Sequence, residues 1–337
     1  MNPKERVINA INFRETDIVP YHIGFTKPAH QKMAAYFKDE DFESKLGNHF
    51  LLLTHNRRNG WVEVKPNYFQ DEFGVVWNRT VDKDIGVVDK ILLTEPTLKG
   101  FDFPDPNEEG LFDHYNAAIA ANPDKFCISQ IGFSLFERAW TLRGMENLLV
   151  DMIENPTFVH ELLDAICDYN IALIDRALHY DIDACYFGDD WGSQRGLIMG
   201  EARWREFIKP RVARMYARVR EAGRFVVIHS CGKVQSLFPD LIECGVNIFN
   251  PFQPEVMDPY EMKQLYGDKL AFYGGISIQK LLPYGTPDEV RTEVNRMLKE
   301  IGRGGGYIAG PSHDLPGDIP AENIAAMIDV LCNQQSS

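Results

Sequence analysis

Short apolar runs rich in branched and aromatic residues recur along this chain, each ending in a polar or glycine cluster. They read IVPYHIGF (18–25), FCISQIGF (126–133), DACYFGDD (183–190), FVVIHSCG (225–232), VNIFNPFQ (246–253), KLAFYGGIS (269–277) and GGYIAGPSH (305–313). Each is short enough for a buried strand, and parallel strands need a long crossover between them. The intervening segments supply it, with apolar residues at three- and four-residue steps over 145–180, 202–223, 234–245, 286–302 and 320–334. Thr286 ahead of Pro287, with Glu289 three positions on, has the pattern of a capping box at the start of one such helix. Strand and helix in regular alternation restrict the chain to an α/β fold.

Residues 38–115 interrupt the rhythm. The stretch 61–93 mixes Val, Trp and Thr with polar residues and predicts an antiparallel β-hairpin, and 101–110 is a proline-punctuated connector. Seven strand candidates plus one hidden in or near this insertion make eight. The expected architecture is therefore a (β/α)8 TIM barrel, one domain over 1–337, with a β-hairpin insertion at about 38–115 in its N-terminal part. An open doubly wound sheet is the alternative, but no strand runs into GxGxxG or a P-loop.

Composition narrows the partners. A formal net charge of −14 disfavours a nucleic-acid backbone or an anionic membrane as the main partner, since both attract basic surfaces. No run approaches eighteen apolar residues, and MNPKERVINAINF reads as an amphipathic helix rather than a signal peptide. Six cysteines without a CxxC pair suit reduced thiols, so a cytoplasmic protein is expected.

In a barrel, the loops after the strand C-termini form the active face. Here they read GDDWGSQRG (188–196), HSCGK (229–233), NPFQPE (250–255), GGIS (274–277) and GPSHDLPGD (310–318). His229 and Cys231, two apart on extended chain, project from one face and can share a tetrahedral cation; His313, at the end of the last run, is the candidate third ligand. Three protein ligands with an open fourth position make a catalytic type of zinc site. Two other readings stay open: a small core cysteine beside a hydrogen-bonded histidine, or Cys231 as a nucleophile with His229 or His313 as its base. Asp189 and Asp190 are candidate catalytic acids, able to orient a metal-bound histidine, take a substrate proton or pair with a cationic substrate. Trp191, Asn250, Gln253 and Glu137 are candidate substrate contacts.

At these residues the chain resembles the uroporphyrinogen decarboxylase superfamily. RVINAINFRETDIVP, LRGMENLLVDMIENP, GDDWGSQRGLIMGEARWREFIKPR, HSCGKVQSLFPDLIECGVNIFNPFQ, YGDKLAFYGGIS and GGGYIAGPSHDLPGDIPAENIAAMI fall in the family's order over nearly the whole chain. The resemblance implies a (β/α)8 barrel and one of two activities, cofactor-free decarboxylation of a tetrapyrrole or zinc-dependent methyl transfer with a corrinoid protein. The decarboxylases carry an arginine-rich RQAGR after the first strand; here YHIGFTKPAHQ stands there, with Lys27 the only nearby cation. The methyltransferases carry His-x-Cys after the fifth strand, matched by His229 and Cys231, and a cysteine near the end of the eighth, where this chain has His313.

The implied function is zinc-dependent transfer of a methyl group between a small thiol, aryl ether or amine and a corrinoid, methylcobalamin-type cofactor. No DxHxxG loop occurs in the chain, so the corrinoid is expected on a separate protein; the family also implies a homodimer. The alternatives are a decarboxylase, with its cation cluster drawn from Arg138, Arg143 and Arg195, and a non-catalytic small-molecule-binding barrel.

Overall fold

A computed structural model describes residues 1–55 and 61–335. In chain order its strands are β1 (Phe50–Thr54), β2 (Val62–Lys65), β3 (Tyr68–Gln70), β4 (Val76–Asn78), β5 (Val87–Val88), β6 (Phe126–Ile131), β7 (Ala184–Gly188), β8 (Gly192–Ser193), β9 (Gly196–Leu197), β10 (Phe225–His229), β11 (Ile248–Phe252), β12 (Ala271–Ile276) and β13 (Tyr307–Pro311). Seven of them pair in parallel in the order β1-β6-β7-β10-β11-β12-β13. Among the described residues no helix is long and apolar enough to cross a membrane.

Strand alternation sorts the side chains into two cores. One face of the curled sheet carries Phe50, Phe126, Ile128, Ala184, Val227, Ile248, Ala271 and Ile308, which pack with Val7 and Ile11 of the helix Pro3–Ile11. That helix lies across the base of the curl, where Ala10 C=O accepts from Gly306 N–H and Lys4 pairs with Asp183 at 2.8 Å. The opposite face, including Cys185, Phe187, Val226, Ile228, Phe249 and Phe272, packs against the surrounding helices. Each large side chain so buried contributes about 1.5–3 kcal/mol relative to exposure.

The first expected strand, IVPYHIGF (18–25), is not a regular one, and the backbone ladder does not close. Residues 20–23 lie beside β13, with an isolated parallel bridge from Tyr21 to Ala309 and bonds from His22 N–H to Ala309 C=O and from Ala309 N–H to Pro20 C=O. Towards β1 one backbone bond remains, His49 N–H to Tyr21 C=O at 3.1 Å. Side chains make the other contacts: Asn48 Oδ1 accepts from Ile23 N–H, Asn48 Nδ2 donates to Ile23 C=O, and His49 Nδ1 accepts from Tyr21 N–H. Pro20 has no N–H to offer, and Asn48 already occupies both polar groups of Ile23, so a continuous ladder cannot form.

Residues 38–115 contain β1, where one strand of the main sheet was expected, but their antiparallel part differs from expectation: it is a four-stranded sheet, β2-β3-β4-β5, instead of a hairpin. Residues 56–60, within the expected insertion, lie outside the described residues. The 145–180 segment is two helices, Met145–Glu154 and Pro156–Ala177, parted where Pro156 forces Asn155 out of helical conformation. The helix Pro287–Glu300 begins with the capping box expected at Thr286 and Glu289.

Candidate metal centre

Phe225, Val227 and His229 occupy alternate positions of β10, so His229 continues the inward row and stands at the mouth of the curl. On the neighbouring strands the same parity brings Tyr186 of β7, Asn250 of β11 and Tyr273 of β12 around it. Asn250 is 4% exposed, and its amide is fixed by Nδ2 donating to Tyr273 C=O at 3.0 Å. Its Oδ1 can then only accept. It does so from Tyr186 O–H at 2.9 Å and from His229 Nδ1 at 2.6 Å. His229 must therefore carry its proton on Nδ1, which leaves the Nε2 lone pair free.

That lone pair meets Cys231 Sγ at 3.3 Å, and the donor atoms of His229, Cys231 and His313 all lie within 4.8 Å of one another. The His229 and His313 rings stand edge to face, centroids 5.2 Å apart. One nitrogen, one sulfur and a second nitrogen, with the tautomer of the buried histidine already set, form a donor set suited to zinc, whose bonds to such atoms are about 2.0–2.3 Å. Burial, followed by the charge of Asp190, pushes the Cys231 thiol well above its usual range, and burial pulls His229 down; both shifts favour neutral groups, and a divalent cation would reverse the first.

The loop carrying Cys231 is pinned from both sides. Asp190 Oδ1 accepts from Cys231 N–H at 2.7 Å, Ser230 N–H donates to Asn250 C=O, and Gln253 Oε1 accepts from Gly232 N–H. The small ribbon of β8 and β9 presses on the same loop, with Lys233 N–H donating to Ser193 C=O at 2.8 Å. Contact is close enough to require glycine: Gly232 has φ +86°, and a Cβ there would lie 2.4 Å from the carbonyl carbon of Gly192. Cys231 and His313 face a cleft of about 280 Å³, lined otherwise by neutral groups such as Gln194, Gln253 and Gln279. A wider cleft of about 610 Å³ lies beyond, against the helix Pro287–Glu300, and touches none of the three donors.

The two adjacent aspartates part company. Asp190 has its carboxylate 3.8 Å from His229 Nε2. Asp189 is 0% exposed and accepts from the N–H groups of Leu135, Phe136 and Glu137 and from Trp191 Nε1–H at 2.6 Å. It caps the helix Phe136–Arg143 and holds the indole, leaving no free oxygen for a substrate. Trp191 is likewise fully buried, edge to face with Trp204 at 5.3 Å, so it is a core residue rather than the expected substrate contact. Asn250 and Gln253 stand behind His229 and the cysteine loop as supports. Glu137 lies near Asp190, and burial together with the charges of Asp190 and Asp189 raises its carboxyl well above the usual range.

Among the described residues, the three arginines offered for a decarboxylase are not brought together. Arg138 is bound to Asp71 at 2.7 Å, Arg143 to Asp151 at 2.6 Å and to two carbonyls, and Arg195 lines a separate cleft. Sequence reading missed Asp314, whose carboxylate lies over Gly24, and the support role of Tyr186 and Tyr273. Asp314 directly follows His313 in GPSHDLPGD, which was the available signal.

Comparison with known proteins places this geometry. Residues 120–333 match the family model described as uroporphyrinogen decarboxylase (URO-D). A methylated-thiol–coenzyme M methyltransferase of Methanosarcina mazei is 24% identical over 193 residues, 57% of this chain and 49% of that protein. A uroporphyrinogen decarboxylase of Methylococcus capsulatus is 24% identical over 183 residues, 53% of this chain and 50% of that protein. The chain thus spans about half the length of the curated relatives it matches. A solved methyltransferase structure from Methanosarcina mazei superposes with TM-score 0.73 over 98% of both chains at 16% identity, a likeness of fold. With the family model covering most of the chain, from the strand before the helix cap to the last helix, this protein belongs to the uroporphyrinogen decarboxylase family.

Proposed function

We propose that the chain, as one barrel domain over 1–337, is a zinc-dependent methyltransferase that moves a methyl group between a small substrate and a corrinoid carried by a separate protein. The observation that carries this reading is the convergence of His229 Nε2, Cys231 Sγ and His313 beside a cleft, with the His229 tautomer set by Asn250. A zinc ion held by these residues lowers the pKa of a bound thiol or acts as a Lewis acid on an ether oxygen. The chain's own residues do the rest. Asn250, through Tyr186 and Tyr273, holds the imidazole in its ligating form, and Asp190 fixes the backbone of Cys231. Relatives named for methyl transfer to coenzyme M support the reaction class. A decarboxylase is less well supported, because Arg138 and Arg143 are committed to buried ion pairs and the cleft is small for a four-ring macrocycle.

Zinc per chain, measured beside circular dichroism, tests the metal site. His313→Ala should stay folded, since it removes an exposed side chain, and lose most of its zinc; His313→Cys should keep it, because sulfur is an equally competent ligand. Full zinc in folded His313→Ala would overturn the three-residue site. The reaction itself is tested with free methylcobalamin and a series of thiols, amines and aryl ethers, where absence of transfer throughout would overturn it, and with uroporphyrinogen, whose turnover would establish the decarboxylase.

A further inference from the structure

Two side chains of the metal cleft are only half engaged by the protein. Gln253, directly after β11 and 6% exposed, lends its Oε1 to Gly232 N–H at 3.2 Å. A backbone N–H can only donate, so the amide end that faces Gly232 is the oxygen, and the other end, Nε2, is a donor of fixed orientation. Ser312, directly after β13 and 1% exposed, is anchored by its own N–H donating to Ile276 C=O at 2.8 Å, and its Oγ accepts from Ile278 N–H at 3.4 Å. That bond uses the hydroxyl as an acceptor and leaves its O–H to give.

Among the described residues none accepts from Gln253 Nε2 or from Ser312 O–H. Gln253 Nε2 is not sealed inside the protein, and both residues line the cleft of about 280 Å³ onto which Cys231 and His313 open. Chain order ties each donor to a metal ligand: Ser312 directly precedes His313, and Gln253 holds the residue that directly follows Cys231. Gln194 and Gln279 on the same cleft are exposed and can turn either end of their amides to a ligand, so they select nothing. Gln253 and Ser312 cannot turn without giving up the backbone N–H groups they serve.

From this arrangement we infer that Gln253 and Ser312 are a pair of specificity residues. The substrate carries, a few bonds from the atom bound at the metal, an oxygen acceptor such as a carbonyl, which takes hydrogen bonds from Gln253 Nε2 and Ser312 Oγ; a purely aliphatic tail is disfavoured. The inference rests on the metal-site reading above. Donors held in a recess lose free energy when a ligand covers them without pairing them, and a site built to hydrogen-bond one group therefore rejects an isostere that lacks it.

Two thiols of matched shape isolate the effect: methyl 3-mercaptopropionate, whose ester accepts hydrogen bonds and donates none, and 3-methylpentane-1-thiol, its hydrocarbon counterpart. Each is titrated calorimetrically into zinc-loaded protein. The ester should bind roughly tenfold tighter. Gln253→Glu keeps an oxygen for Gly232 N–H but replaces the amide donor with a second acceptor, and Ser312→Ala removes the hydroxyl; each should retain zinc and lower that ratio about three- to fivefold. Equal or tighter binding of the hydrocarbon thiol, a ratio unchanged in either variant, or zinc-loaded protein that binds neither thiol would overturn the inference while leaving the metal site standing. Protein that takes up no zinc, measured separately by elemental analysis, would overturn both.

Discussion

Asn250 is the residue on which the centre's readiness depends. Its Oδ1 serves two donors at once, and only one of them, His229 Nδ1, faces the metal donors through the far side of its ring. Asn250→Ala is expected to lower zinc affinity by about 10–100-fold, measured by competition with a chromophoric chelator, while leaving the fold intact. Asp189→Ala is expected to do the reverse. Four donors would be left without an acceptor in a dry site, costing about 3 kcal/mol or more in urea unfolding, with zinc stoichiometry in the folded protein unchanged. The distinction between these two residues was within reach of the sequence. Ala184, Tyr186 and Gly188 set the inward parity of β7, which continues to Asp190 and sends Asp189 and Trp191 into the helix layer with Cys185 and Phe187. Reading both aspartates and the tryptophan as one polar cluster ignored that period. The coming together of His229, Cys231 and His313 was legible because donor-type residues at strand ends are recognisable without knowing the connections between strands. Asn250's partners Tyr186, His229 and Tyr273 were not, because an amide reveals its partners only when three strands are side by side.

At the level of elements, the ribbon of β8 and β9 and the Cys231 loop act as one unit, since Gly192 and Gly232 touch backbone to backbone. Gly232→Ala combines a left-handed φ of +86° with a clash against the Gly192 carbonyl carbon, so it should cost about 1–3 kcal/mol and displace Cys231. Loss of stability in denaturant titrations together with weakened zinc binding is the expected pair of outcomes; Gly196→Ala, with open space around its Cβ position, is the control for strain without the clash. Six of the seven strand candidates read from the sequence correspond to strands of the main sheet. The seventh, IVPYHIGF, has the right composition but contains Pro20 and finds side-chain partners before backbone ones. The strand FLLLT (50–54) was expected somewhere in or near the 38–115 stretch but not located, because it is a short apolar run inside a stretch whose polar and proline-rich remainder suggested an excursion. Apolar content locates buried strands well; it does not tell a ladder from a seam.

Across the whole molecule, two buried histidines couple stability to pH. Burial holds His22 at about 3 and His49 at about 4, both below the ordinary value of 6.5. Each stays neutral in the folded state while its unfolded counterpart takes up a proton, so stability should fall by about 1.4 kcal/mol per pH unit per histidine as pH drops from 6.5 towards 4. Asp189, raised to about 6 by burial, works in the opposite sense, being protonated in the fold and ionised in the unfolded chain between about pH 4 and 6. Glu137, also raised, acts with Asp189, and His229, also lowered, acts with the other two histidines, so the balance of these groups is three against two, giving net acid destabilisation in that window. Urea midpoints at several pH values should show it, and His22→Phe, which keeps a ring between Phe50 and Tyr273, should flatten the slope by one histidine's share. The seam between residues 20–23 and β1 has a consequence of its own. A cylinder closed by a continuous ladder is closed by the peptide backbone, whatever its side chains; here a carboxamide and an imidazole act as the clasp. The seam is thus written largely in residue identity and can be weakened by a single change that leaves every strand in place. Asn48→Ala should raise hydrogen–deuterium exchange at the Ile23 amide while β6 to β12 stay protected, widening the gap along one side of the cuff.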